Sequence, residues 1–158
     1  MQQILIFGNS GSGKTTMAKH LAISEEIPHL DLDTCAWNEA GVRKPLPESQ
    51  QLIKQFITAH PSWVIEGSYG SLVELVVPYC NELRFLNPGI EKCLQNCESR
   101  PWEPEKYPTP ESQNANLAML KDWVRAYETR EDEYSEREHR RIFEAYSGPK
   151  REYRSPQV

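Results

Sequence analysis

Apolar residues in this chain come as short unbroken runs that alternate with stretches of helical spacing, which predicts strands and helices in strict alternation. The first run, Ile4-Leu5-Ile6-Phe7, predicts a strand from Gln3 to Phe7, followed by a loop and a helix to about Ile23. Pro28 introduces His29-Leu30-Asp31-Leu32-Asp33, expected as a second strand that ends in two carboxylates. Leu52, Ile53, Phe56 and Ile57 share one face of a helix from Glu48 to Ala59, which His60-Pro61 ends. Ser62 to Gly67 reads as a buried third strand. A tight turn through Gly67-Ser68-Tyr69-Gly70 leads to a helix with a core stripe of Leu72, Leu75, Val76 and Tyr79. Glu82 to Leu86 gives a fourth strand, and Asn87-Pro88 is expected to open a helix running to about Ser99. Thr109-Pro110 caps another, with Leu117, Leu120, Trp123, Val124 and Tyr127 on one side. The Ser135-x-x-Glu138 capping box starts a further helix to about Tyr146, and Lys150 to Arg154 is a last short strand. Strands alternating with helices give a three-layer α/β/α arrangement with a parallel sheet and right-handed crossovers.

Composition narrows this picture. A chain of 158 residues has the size of one domain with a single core, taken here as residues 1 to 158. The net charge of -5 argues against nucleic acid or an acidic membrane as partner, which call for an excess of Lys and Arg. No apolar run approaches the ~20 residues needed to span a bilayer, and the first strand starts too near residue 1 for a cleavable leader, so a cytoplasmic location is expected, as a monomer or homodimer. Cys35, Cys80, Cys93 and Cys97 contain no C-x-x-C pair. Cys93 and Cys97 fall on one helical face with Ile90 and Leu94, a core face.

The candidate chemistry begins with Gly8-Asn9-Ser10-Gly11-Ser12-Gly13-Lys14-Thr15, which reads G-x-x-x-x-G-K-T between the first strand and the first helix. Glycines let such a backbone close into a nest of inward N–H groups that fits an anionic polyphosphate, and the helix dipole adds to it. Lys14 reaches the outer phosphates, Thr15 offers its hydroxyl to Mg2+, and Thr16 completes the helix start. With no N/TKxD run for guanine, ATP is the expected nucleotide. Asp31 and Asp33, as alternate residues of a strand, are expected to project together at the carboxyl edge of the sheet where ligands bind. One would serve the metal and the other an acceptor. Glu66, Gly67, Ser68 and Tyr69 reach the same edge and, with the loop base Arg43, are candidates for the acceptor site. Residues 100 to 110 carry four prolines and no periodicity, the character of a lid. Arg100 and Lys106 are its only cations, and either can swing onto a transferring phosphate. Arg130, just past the long helix, is the other candidate.

The phosphate loop, the Asp31-x-Asp33 pair and the proline-rich lid together resemble the small P-loop kinases, the nucleoside monophosphate kinase and shikimate kinase superfamily. His29 to Trp37 and Trp63 to Tyr69 are also similar to an adenylate-kinase-like bacterial group labelled DNA topology modulation proteins. The resemblance implies a five-stranded sheet ordered 2-3-1-4-5 and transfer of the ATP terminal phosphoryl group to a small acceptor, with ATP and Mg2+ as companions. Carried over from shikimate kinases, Asp31 becomes the metal-shell acid and Asp33 the base or positioner; no aspartate follows the fourth strand, so a Walker B acid would be Asp31 or Glu66. The chain departs from the pattern after the third strand. It lacks both the glycine run of shikimate kinases and the arginine of adenylate kinases, which points away from shikimate and AMP. An ATP-dependent regulatory protein and an ATPase without an acceptor are the alternative uses of the same loop.

Overall fold

The structure, a computed structural model, describes residues 1–155. Its frame is a sheet of five parallel strands, β1 (Gln3–Gly8), β2 (His29–Asp31), β3 (Trp63–Gly67), β4 (Glu82–Leu86) and β5 (Lys150–Tyr153), in the order β2-β3-β1-β4-β5. This is the order the sequence resemblance implied. Around it lie α1 (Lys14–Ser24), α2 (Asp33–Ala36), α3 (Leu46–Ala59), α4 (Gly70–Val76), α5 (Ile90–Glu98), α6 (Pro110–Arg125) and α7 (Glu136–Ala145).

The central strand shows why the apolar runs are unbroken. Ile4 through Gly8 are all buried, because a parallel strand is covered on both faces. Leu5 and Phe7 enter a cluster with Ile65, Leu83, Phe85, Leu72, Val73 and Ile142, which packs α3, α4 and α7 on one face. Ile4 and Ile6 point the other way, to Val64, Leu86 and Ala18 of α1. Phe7 and Phe85 stack at 5.1 Å between centroids, and the His139 ring meets both edge-on. Cys93 and Cys97 form a third cluster with Val124, so the cysteine face of α5 is core. All four cysteines are free.

Two boundaries differ from the sequence reading, and both shape the site. β2 stops at Asp31, and Asp33 opens the short α2. The cause is local, since the Asp31 carboxylate accepts the Asp33 N–H at 2.9 Å and turns the chain off the sheet. Asn87-Pro88 does not cap α5, which begins at Ile90 behind Gly89 in a positive-φ conformation (102°). Asn87 instead continues toward β5, its N–H donating to the Tyr153 carbonyl at 2.8 Å. The two caps expected at Thr109 and Ser135 are formed, each side chain accepting from the backbone three residues on. Among the described residues no helix is long and apolar enough to cross a membrane.

Candidate functional site

The loop from Gly8 to Gly13 joins β1 to α1 at the carboxyl edge of the sheet. Two helices hold it from below. Asn96 of α5 donates to the Gly11 carbonyl at 2.8 Å, and Asn9 donates to the Val124 carbonyl of α6 at 3.3 Å. The approach of α5 is so close that a Cβ at Gly11 would sit 2.4 Å from the Cys93 carbonyl oxygen, and its φ of 79° disfavours a side chain as well. Gly13 (φ 99°) starts α1 without a side-chain cap, so the leading amides of the helix at Lys14, Thr15 and Thr16 have no cap from it. The Ser12 hydroxyl is buried in the loop without a protein partner, and Ser10 is half-buried at its rim. A cradle with unclaimed donors at a helix N-terminus has the chemistry of an anion site.

Lys14 folds back over the loop and donates to the Asn9 carbonyl at 2.7 Å. Burial lowers its pKa, Glu66 opposes that, and the nearby charge of Arg100 adds to the lowering. The Thr15 hydroxyl donates to Glu66 Oε2 at 3.0 Å, and His29 Nε2 lies 3.0 Å from the same oxygen. Glu66, named for the acceptor site and, with Asp31, as one of two candidate metal-side acids, is buried (1% exposed) beneath Thr15, whereas Asp31 is not the hydrogen-bond partner of Thr15. The strand order supplies the reason. β3 lies directly beside β1 and β2 lies one strand farther out, so Asp31 stands about two strand spacings, roughly 10 Å, from the loop strand.

Asp31 and Asp33 do meet, although not as strand alternates. The segment from residue 100 to 110 reaches them and brings Lys106 Nζ to 2.8 Å from Asp33 Oδ2, 3.5 Å from Asp31 Oδ2 and 3.5 Å from Glu103 Oε2. Burial raises the Asp31 pKa to about 6, with the Glu66 and Asp33 carboxylates adding to the rise and Lys106 easing it. At Asp33 burial works in the same direction, but Lys106 and the Tyr69 hydroxyl overcome it and hold its pKa below the usual value. Burial alone would depress Lys106, and the carboxylates of Asp33 and Asp31 instead hold its pKa above the ordinary lysine range. The Tyr69 hydroxyl donates to Asp33 Oδ1 and accepts from Trp37 Nε1 at 2.8 Å. Trp37 is 43% exposed, which leaves an aromatic wall open beside Asp33.

The remaining candidates are spread more widely. Arg43 lies 4.9 Å from the Tyr69 ring centroid and donates to the Tyr134 hydroxyl at 2.7 Å, behind the ring that carries the Asp33 hydrogen bond. Gly67 is buried under Leu32, which a Cβ would touch at 2.8 Å, and Ser68 presents its carbonyl to His139 Nε2 at 2.8 Å. Both were named as candidates for the acceptor site, and these are the contacts they make. Arg100 lies at the lid base 3.5 Å from Glu103. Arg130 lies 3.3 Å over the Trp123 ring and pairs with Asp132 at 2.8 Å. Sequence reasoning passed over two residues of this edge. His29 shares a strand face with Asp31 and was visible by that spacing. Trp37 carried no signal beyond following α2. Lys106 was named from the sequence as a cation for a transferring phosphate, and it faces Asp33 and Asp31.

No family model and no curated protein matches the sequence. Among solved structures the chain is similar to the crystal structure of a gluconokinase from Sinorhizobium meliloti 1021, with a TM-score of 0.54 at 16% identity over 98% of this chain and 84% of that one. At such low identity the likeness speaks to architecture, and with the strand order and the phosphate loop it gives the chain a P-loop kinase fold.

Proposed function

We propose that the chain is a phosphotransferase that binds ATP in the Gly8–Thr15 loop and passes its terminal phosphoryl group to a hydroxyl of a small acceptor held at Asp33. The observation that supports this most is the meeting of three parts at one sheet edge: a phosphate cradle with unclaimed donors, a carboxylate pair, and a lid that already reaches that pair.

Phosphoryl transfer asks a protein mainly to position reactants and balance charge. Lys14 would exchange the Asn9 carbonyl for the outer phosphates, and the amides of Gly11 and of Gly13 to Thr16 would take the inner ones, the Ser12 N–H being held by the Asn9 carbonyl at 3.2 Å. Thr15 and Glu66 offer two hard oxygen donors 3.0 Å apart, which suits Mg2+, an ion that keeps most of its waters. When bound, Mg2+ neutralises charge on the terminal phosphate oxygens. Asp33, held ionised by Lys106 and Tyr69, would accept the hydrogen bond of the acceptor hydroxyl and orient it toward the phosphate. Arg100 stands near enough to Lys14 to add positive charge to the same side.

ADP release should be screened over nucleosides, nucleotides, sugars and hydroxy acids, with gluconate included because the structural neighbour is a gluconokinase. One acceptor should raise release well above the water rate. Asp33→Asn should keep ATP binding and lose transfer. A protein that uses ATP only as a regulatory signal would show neither result.

A further inference from the structure

Glu66 is buried, and a carboxylate out of reach of bulk water needs hydrogen-bond donors from the protein. Two reach it, from different elements and at the same oxygen. The Thr15 hydroxyl of α1 lies 3.0 Å from Glu66 Oε2, and His29 Nε2 of β2 lies 3.0 Å from it. Strand register makes the second contact. His29 of β2 pairs with Val64 of β3 and Asp31 with Glu66, so alternation puts His29 on the face that Glu66 shares, diagonal to it. Val64 packs with Ala18 of α1, so this is the face that α1 covers. The hydrogens follow from the chemistry of the groups. An ionised carboxylate only accepts, so Thr15 donates its single hydroxyl hydrogen to Oε2 and keeps its lone pairs for other partners. By the same rule His29 donates through Nε2–H. Glu66 therefore decides how the Thr15 hydroxyl is turned, and His29 is the second donor that holds Glu66.

We propose that His29 is a positioning residue for the divalent cation that accompanies the nucleotide: its Nε2–H fixes the Glu66 carboxylate, and through it the Thr15 hydroxyl, as the pair of oxygens that Mg2+ takes. This rests on the phosphotransferase reading above and adds to it a residue that acts only through Glu66. The terminal torsion of a glutamate is broad and two-fold, so a carboxylate held by one donor can swing. A second donor, anchored on a neighbouring strand, narrows that freedom. Outer partners of this kind orient the ligands of a metal site, and their loss typically costs roughly 10- to 100-fold in metal affinity or activity. The phosphate contacts assigned to Lys14 and the loop amides are made by other residues, so ATP without metal does not call on His29.

The test is calorimetric titration of ATP, once with Mg2+ and once with EDTA, into the wild type, His29→Phe, His29→Gln, Glu66→Gln and the double variant His29→Phe/Glu66→Gln. His29→Phe should lose on the order of tenfold in affinity for MgATP and stay within about twofold for ATP in EDTA. His29→Gln, whose amide nitrogen has about the reach of Nε2, should recover most of the loss. Adding His29→Phe to Glu66→Gln should cost little more than Glu66→Gln alone, because one residue acts through the other. Nitrogen NMR of the labelled wild-type imidazole, which needs no nucleotide, should find a hydrogen on Nε2. A loss in His29→Phe that is equal with Mg2+ and with EDTA overturns the proposal and leaves His29 as a structural partner of a buried acid. Unchanged MgATP affinity, losses that add in the double variant, a bare Nε2, or a wild-type affinity for ATP indifferent to Mg2+ overturn it as well. A wild type that takes up no ATP under either condition overturns the phosphotransferase reading itself, and the NMR measurement keeps that result apart from failure of the His29–Glu66 contact.

Discussion

His139 of α7 is fully buried against the sheet, its Nε2 2.8 Å from the Ser68 carbonyl oxygen and its Nδ1 2.8 Å from the Tyr127 hydroxyl. Burial pushes its pKa down to about 4, against the Ser68 carbonyl that favours the proton. The folded protein therefore keeps this ring neutral where the unfolded chain, at about 6.5, begins to take up a proton. Stability is full above pH 6.5 and falls as the pH drops from there toward 4, by about 2 kcal/mol between pH 7 and pH 4.5 from this one group. Urea midpoints at the two pH values check it, and His139→Gln should flatten that part of the dependence. Gly11 makes a second prediction at this scale. A methyl group there meets the Cys93 carbonyl, a backbone atom that cannot step aside, and adopts φ 79°. Gly11→Ala should cost on the order of 1 to 3 kcal/mol in a denaturant titration and weaken ATP binding as well.

At the scale of elements, α7 starts at Ser135, whose buried hydroxyl accepts the Glu138 N–H at 3.1 Å. Ser135→Ala should lower stability by about 1 kcal/mol without changing ATP affinity, measured by thermal melting beside a titration. That cap was legible as S-x-x-E, and β1 and most of β3 were legible as apolar runs, because burial on both faces favours apolar residues. α2 was not legible. The alternation from His29 to Asp33 runs on past the point where the chain leaves the sheet, and what ends β2 is the hydrogen bond from the Asp33 N–H to the Asp31 side chain. The acids still meet because Lys106 arrives from residues far along the chain. Likewise Thr15 meets Glu66 through the adjacency of β3 and β1, a fact of strand order that local spacing does not carry. The Gly8–Thr15 loop could be read from sequence because its pattern is contiguous. The edge that carries Asp31, Asp33 and Glu66 is assembled from β2, α2, β3 and residues 100 to 110, so its residues were named without their partners.

Across the whole molecule the phosphate loop is supported by helices that come late in the chain. Asn96 on α5 holds the Gly11 carbonyl, the end of α6 receives Asn9, and α6 also braces the lid through Gln113. Loop shape and lid position therefore share one support, and Asn96→Ala should weaken ATP binding several-fold while leaving the circular dichroism of the fold intact. The central claim is that the Gly8–Thr15 backbone, with Lys14, grips a nucleotide polyphosphate. Calorimetric titration of MgATP into the wild type and into Lys14→Ala tests it most directly. The account predicts one saturable site, with a dissociation constant on the order of micromolar, and at least a tenfold loss of affinity in Lys14→Ala. No uptake of MgATP by the wild type, or equal affinity in the two proteins, would contradict it.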